Sequence, residues 1–166
     1  LSRIASSDMD ICLRFPNGMR ADILDRDMII ALKEANTFAT CVAVETATPR
    51  LQKLIKKNLD LDKVFEIIKM TDEFKIMTHG FFMIGFPTET RDEMLATINY
   101  AVRSKLHSAA MFRVTPFKGT ELYQMAIDMG YKVPDDPDSF EIYKTHVNLS
   151  TVPEEEVTRL QNFFYR

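Results

Sequence analysis

Glu45 closes the apolar run Val42-Ala43-Val44. A carboxylate at the end of such a run is poorly hydrated unless it finds a partner. It can serve a cation, a ligand amine or a ligand hydroxyl, or it can pair internally with Arg20 or Lys57; the residues alone leave both readings open. Arg20 follows the turn formers Pro16-Asn17-Gly18. Its planar fork can grip a carboxylate or a diol, or it can simply stay solvated. Lys57 lies in Ile55-Lys56-Lys57-Asn58, where a cation either complements a helix C-terminus or meets an anionic ligand. In Gly85-Phe86-Pro87-Thr88-Glu89, Gly85 lets backbone or ligand come close because it has no Cβ. Glu89 either accepts from helix N–H groups or faces a ligand. Thr115-Pro116 shapes a turn or offers a hydroxyl at a strand end.

These residues share one kind of position, the carboxyl end of an apolar segment. The spacing predicts strands at 10–15, 39–44, 76–84 and 109–114. Residues 1–9 read as irregular, and Pro16-Asn17-Gly18 should stop the first strand. A helix over 24–35 has Met28, Ile29, Leu32 and Ala35 as its apolar stripe, with Asn36 ending it. Thr48-Pro49 opens a short helix through Ile55, and Asp60 or Asp62 caps the next, which buries Leu61, Val64, Ile67, Ile68 and Phe74.

Phe81-Phe82-Met83-Ile84 reads as a strand buried on both faces. Thr90-Arg91-Asp92-Glu93 then has the form of a capping box, followed by Met94, Ile98 and Val102 at helical spacing. Thr120 caps a helix that stops at Gly130; residues 131–150 look like a surface excursion. Thr151-Val152-Pro153-Glu154 reads as a second capping box, and Phe163-Phe164-Tyr165 suggests further chain or a docking face. The order βα, βαα, βα, βα predicts a parallel sheet with helical crossovers and rims its polar residues along one edge.

Length and charge narrow the function classes. A chain of 166 residues with net charge −3 suits one ordinary domain and argues against nucleic acid as the main partner. No apolar run approaches the ~20 residues of a membrane span. The start Leu1-Ser2-Arg3-Ile4 reads as a cut end and not as a signal peptide. The two cysteines, Cys12 and Cys41, read as small buried hydrophobes inside strands, and they cannot supply a four-cysteine site. The three histidines are scattered, and neither a dinucleotide fingerprint, a Walker loop nor a nucleophile elbow appears.

Five motifs in this order resemble the radical S-adenosylmethionine (SAM) superfamily. They are Pro16-Asn17-Gly18-Met19-Arg20, Val42-Ala43-Val44-Glu45-Thr46, Ile55-Lys56-Lys57-Asn58, the Phe82–Thr90 stretch, and Thr115-Pro116-Phe117-Lys118-Gly119-Thr120. The similarity covers roughly residues 10–130. It is greatest to the branch often fused to a cobalamin-binding domain, which includes anaerobic Mg-protoporphyrin monomethyl ester cyclase-like Fe–S oxidoreductases and methylases. Ala43 stands where that branch usually has Gly, Thr88 where it has Gly, and Lys118 where it has Pro.

The resemblance implies an α/β fold: a partial TIM-type (β/α)6 barrel, of which this chain supplies four parallel strands, barrel strands three to six, with helices outside. It implies a division into barrel (1–130) and C-terminal extension (131–166). It implies SAM and a [4Fe–4S] cluster, held by a CxxxCxxC loop that this chain lacks, and reductive cleavage of SAM to a 5′-deoxyadenosyl radical. Cobalamin would come through an upstream domain. The cofactor-binding residues it implies are Arg20, Glu45, Lys57, Gly85, Pro87, Thr115 and Pro116, with no catalytic residue or metal ligand in this chain. A fragment of this kind is expected to be cytoplasmic, inactive alone, dependent on the upstream part of its own chain, and able to self-associate through the open edge at 10–15. Its partner is a small-molecule substrate. Two other readings stand beside it: a cluster-free binding or assembly module on the same scaffold, and an unrelated TIM-barrel enzyme using Glu45 and Lys57 for acid–base or Schiff-base chemistry.

Overall fold

A computed structural model describes residues 1–133 and 147–166. Its elements in chain order are α1 (Ser2–Ala5), β1 (Leu13–Met19), α2 (Arg26–Glu34), β2 (Thr37–Glu45), α3 (Pro49–Leu54), α4 (Leu61–Glu73), β3 (Met77–Ile84), α5 (Arg91–Arg103), β4 (Ser108–Arg113), α6 (Glu121–Asp128) and α7 (Glu154–Phe164). The strands are parallel and lie in the order β1-β2-β3-β4, and among the described residues the sheet is open. This is the parallel α/β sheet that the alternation predicts, in the partial (β/α) barrel arrangement that the resemblance implies.

The chain divides into two compact units. One comprises Leu1–Phe82 with Thr97–Ala110, the other Met83–Ala96 with Met111–Arg166. The first has its core in Ile29, Leu32, Val42, Val44, Leu51 and Ile68, all nearly or fully buried. The second is centred on Ile84, Met94, Met111, Val114, Leu149 and Val157.

Local chemistry fixes most helix starts. The Asp25 carboxylate accepts from Met28 N–H at 2.8 Å to open α2, and Asp60 accepts from Lys63 N–H at 3.0 Å to open α4. The Thr90–Glu93 box is formed: Thr90 N–H donates to Glu93 Oε2 at 2.9 Å, and Glu93 N–H donates to Thr90 Oγ1 at 3.3 Å. Thr120 caps α6 through Tyr123 N–H. Asn36, with φ +57°, ends α2 as expected.

Several expectations are corrected. Residues 2–5 form one helical turn instead of an irregular start. β1 does not stop at Pro16-Asn17-Gly18 but passes through them. As the end strand of the sheet it tolerates a residue without N–H, and its register slips between Phe15 and Gly18. Cys12 precedes β1 and is exposed; only Cys41 is buried.

β3 buries one face alone. Thr78, Gly80, Phe82 and Ile84 point into the core, while His79, Phe81 and Met83 stay half-buried. Met28 and Val102 are exposed, and α5 buries Thr97 and Ala101 beside Ile98. Thr151 does not cap α7, which starts beyond Pro153 without a side-chain cap. Its hydroxyl and amide both go to Glu89 O, at 3.0 and 2.9 Å. Tyr165 docks on β4, where its hydroxyl bonds the amide and carbonyl of Met111. Most of the Pro- and Asp-rich stretch read as a surface excursion lies outside the described residues.

Candidate functional site

The first unit brings three of the expected residues into one chain of contacts. Glu45 sits at the end of β2 with φ +64°, a left-handed conformation rare for a residue with a Cβ. Thr46 N–H closes a three-residue turn onto Val44 O at 2.9 Å, and the β2–β3 register slips between Ala43 and Glu45. A bulge and a tight turn of this kind re-aim a side chain and store about 1–3 kcal/mol of backbone strain.

Gln52 holds this geometry. Its buried amide donates to Val44 O at 2.8 Å and to Thr46 O at 2.7 Å, so it clamps the carbonyls on both sides of Glu45. Its side-chain oxygen accepts from Leu59 N–H at 3.1 Å. Its backbone carbonyl accepts from Lys57 N–H and Asn58 N–H at 3.0 and 3.2 Å. Lys56, with φ +55°, reverses the chain after α3, so that Lys57 turns back toward β2. One residue thereby fixes both partners of the ion pair.

The pair is close: Lys57 Nζ lies 2.8 Å from Glu45 Oε1, with side chains 23% and 22% exposed. Lys57 is thus an ion-pair partner in addition to a helix-end cation. Arg20 makes a two-pronged contact with Asp22, both bonds 3.0 Å, and reaches Asn58 O at 3.5 Å. It approaches the loop bearing Lys57 and does not pair with Glu45. Behind the strand end, the buried hydroxyls of Thr46, Thr48 and Thr97 bond one another, each step 3.3 Å.

The second unit holds the other expected residues. Gly85 takes φ +95°, and a Cβ placed on it would meet nothing nearer than 4.0 Å. The glycine is there for its conformation, with open room beside it, and not because a neighbour crowds it. Glu89 is fully buried. Its Oε2 accepts from Gly85 N–H at 2.6 Å and Phe86 N–H at 3.0 Å, so it caps the strand-end turn and not helix α5. Leu149 N–H to Gly85 O and Thr88 N–H to Leu149 O strap the same turn. Pro87 and Pro116 are buried. Thr115 is half-buried and lines a pocket of about 150 Å³ with Met83, Phe112, Arg113 and Phe117.

Gln52 and Gly18 escape sequence reading. No periodicity marks Gln52; only the need for donors beside the carbonyls of a strained strand end points to it. A Cβ on Gly18 would fall on the Cβ of Ala43, so this glycine is a close approach between β1 and β2 and not a turn former.

The donor set at β2 fits an amino-acid zwitterion, with a carboxylate for its ammonium and an ammonium for its carboxylate. The residues present do not fit an iron–sulfur cluster. The chain has two cysteines, and the described residues contain no group of three or more His, Cys, Asp or Glu placed for a metal ion. Among them no helix is long and apolar enough to cross a membrane.

Residues 6–101 match the model of the radical SAM superfamily. The chain is 30% identical over 128 residues to the cytidylyl-2-hydroxyethylphosphonate methyltransferase of Streptomyces wedmorensis, covering 73% of this chain and 24% of that protein. It is 30% identical over 125 residues to an uncharacterised methyltransferase of Pyrococcus horikoshii, covering 75% and 27%. Among solved structures it is similar to the radical S-adenosylmethionine methyltransferase TsrM from Kitasatospora setae, solved with cobalamin and a [4Fe-4S] cluster bound. There the TM-score is 0.61, at 16% identity over 82% of this chain and 28% of that one. The chain thus spans about a quarter of the length of the curated relatives it matches.

Proposed function

Because the chain belongs to the radical S-adenosylmethionine superfamily, we propose that the end of β2 holds the amino-acid part of SAM within a larger enzyme of the methylase or oxidoreductase kind. Membership implies SAM and a [4Fe–4S] cluster as cofactors; bound together they supply reductive cleavage of SAM to a 5′-deoxyadenosyl radical. The cluster ligands belong to residues outside this chain, which is inactive by itself. Methyl transfer is the favoured reaction class, since both named relatives are methyltransferases. Cobalamin is assigned to an upstream domain, and cytoplasmic location and self-association through the β1 edge belong to the same proposal. So do residues 1–130 as barrel strands three to six with their helices, and 131–166 as an extension.

The observation that carries the reading is the Glu45–Lys57 pair on a strained strand end. Strain at a non-glycine residue persists only where the surroundings enforce it, and it concentrates at ligand sites. Here Gln52 enforces it. Glu45 would take the ligand ammonium or the ribose diol, and Lys57 the carboxylate. Both groups, about three-quarters buried, compete less with water than surface charges do. Gly85, Pro87, Thr115 and Pro116 are proposed cofactor contacts by their place at the ends of β3 and β4, and Arg20 by its place after β1.

The test is SAM binding to the full protein with its cluster reconstituted. A charge-assisted contact contributes about 1.5–3 kcal/mol, so Glu45→Gln and Lys57→Met should each raise Kd roughly ten- to a hundredfold with the cluster spectrum unchanged. Lys105→Ala, at an exposed position after α5, should leave Kd alone. Parent-like binding by both site variants would overturn the assignment. A cluster-free binding or assembly module would show no SAM binding at all.

A further inference from the structure

β2, which ends at Glu45, meets a second polar group nearer the strand starts. Cys41 pairs with His79 and Ala43 with Phe81 across β2 and β3, so Cys41 and Ala43 share a face with His79 and Phe81. Around the first of these pairs lies a cavity of about 290 Å³, lined among others by Arg14, Cys41, His79, His107 and Ser108. Among the described residues no Asp or Glu lines it. Among the described residues Arg14 has no carboxylate within ion-pair distance.

The neighbours of Arg14 are polar and uncharged. His79 Nδ1 and Ser108 Oγ are 2.7 Å apart. Burial first, and then the Arg14 charge, hold the His79 imidazole below its usual range, so it is neutral at pH 7. Burial raises the Cys41 thiol, and Arg14 opposes that shift. His107 Nδ1 accepts from Thr78 N–H at 3.1 Å, which leaves its proton on Nε2, 3.7 Å from Asp72 Oδ1. A cation thus stands with a hydroxyl and an imidazole over a cavity whose described lining holds no carboxylate.

We propose that this cavity binds an oxyanion, the terminal phosphate, phosphonate, sulfonate or carboxylate of the enzyme's substrate. Arg14 supplies charge, and Ser108 and His79 supply hydrogen bonds. Cys41 and Glu45 are four residues apart on β2, about 13 Å along the strand. A substrate anchored at Arg14 therefore needs roughly that length to bring its other end to the strand end. That last step rests on the SAM reading of Glu45; the anion site does not.

The probe is sulfate, whose charge is constant near neutrality, titrated calorimetrically into the full protein without SAM. Binding is expected near the millimolar range, about 1 mM. Arg14→Gln should weaken it at least about tenfold while Arg14→Lys keeps most of it; Ser108→Ala and His79→Gln should each cost about two- to tenfold. Binding should tighten as the pH falls below the ordinary imidazole range and His79, facing Arg14, Cys41 and Ser108, takes up a proton. Arg103→Gln, on an exposed helix end, should change nothing. No heat of binding at about 50 mM sulfate, or parent-like binding by Arg14→Gln, overturns the site. Should Arg14→Gln fail to fold, the Ser108→Ala and pH arms decide in the same way. With SAM absent, failure here leaves the Glu45–Lys57 assignment standing, and failure there leaves this one.

Discussion

β2 and β3 both run into a residue with left-handed φ: +64° at Glu45 and +95° at Gly85. At each end one buried side chain satisfies two backbone groups of the turn, with opposite polarity. Gln52 donates to the carbonyls of Val44 and Thr46, whereas Glu89 accepts from the amides of Gly85 and Phe86. The β3 end uses the one residue type that adopts this conformation freely, and it hides its charge completely. The β2 end forces the conformation on a glutamate and leaves its carboxylate partly exposed beside a lysine. A buried carboxylate turned onto two backbone amides is a structural device. A strained, accessible one keeps interaction capacity for something else, and the added cost of holding it points to a ligand.

The largest expected effect lies at β3. Glu89→Ala strands two buried amides that had a charged acceptor, and should lower unfolding free energy by about 3–5 kcal/mol in urea titrations. A loss below about 1 kcal/mol would break the comparison, because the turn would then hold without its carboxylate. Next comes Gln52→Leu. Two carbonyls and the Leu59 amide lose their partner, and about 2–4 kcal/mol should go with them. The same substitution should weaken SAM binding in the reconstituted protein, since Glu45 and Lys57 are no longer held in place. Stability loss with unchanged SAM affinity would reduce Gln52 to a fold residue. The smallest effect is on stability at Glu45 itself. Glu45→Gly relieves about 1–2 kcal/mol of left-handed strain and adds about 0.5–1 kcal/mol of chain entropy, so the melting point should hardly move while SAM affinity falls. A destabilisation above about 2 kcal/mol would mean that the Glu45–Lys57 pair supports the fold more than a ligand.

The alternation of apolar runs with capped helices made the parallel sheet readable, because strand content, Asp60, Thr90 and Thr120 all act within a few residues of themselves. Glu45 and Lys57 were readable as chemistry for the same local reason: a charge at the end of an apolar run, and another at a helix end. What joins them was not readable. Gln52 works through a turn that depends on its own clamp, so neither can be inferred without the other. Thr151 shows the opposite failure. Its capping-box pattern is present, but a long-range carbonyl, Glu89 O, competes for the hydroxyl and wins. Pro16-Asn17-Gly18 misled because turn propensity is a local preference, and an end strand with slipped register tolerates residues that a central strand would reject.

The approach of Gly18 to Ala43 carries a consequence for how this sequence can change. The two positions share room for a single methyl group, and here the second strand holds it. A lineage can move that methyl to the first strand by exchanging the residues, but an alanine at 18 is admissible only after 43 has become glycine. The order of substitutions is therefore constrained: the path through two glycines loosens the seam between β1 and β2, whereas the path through two alanines jams it. Drift at either site is conditional on its neighbour, and because position 43 lies two residues before Glu45, every such exchange is made within reach of the residue on which the proposed chemistry depends.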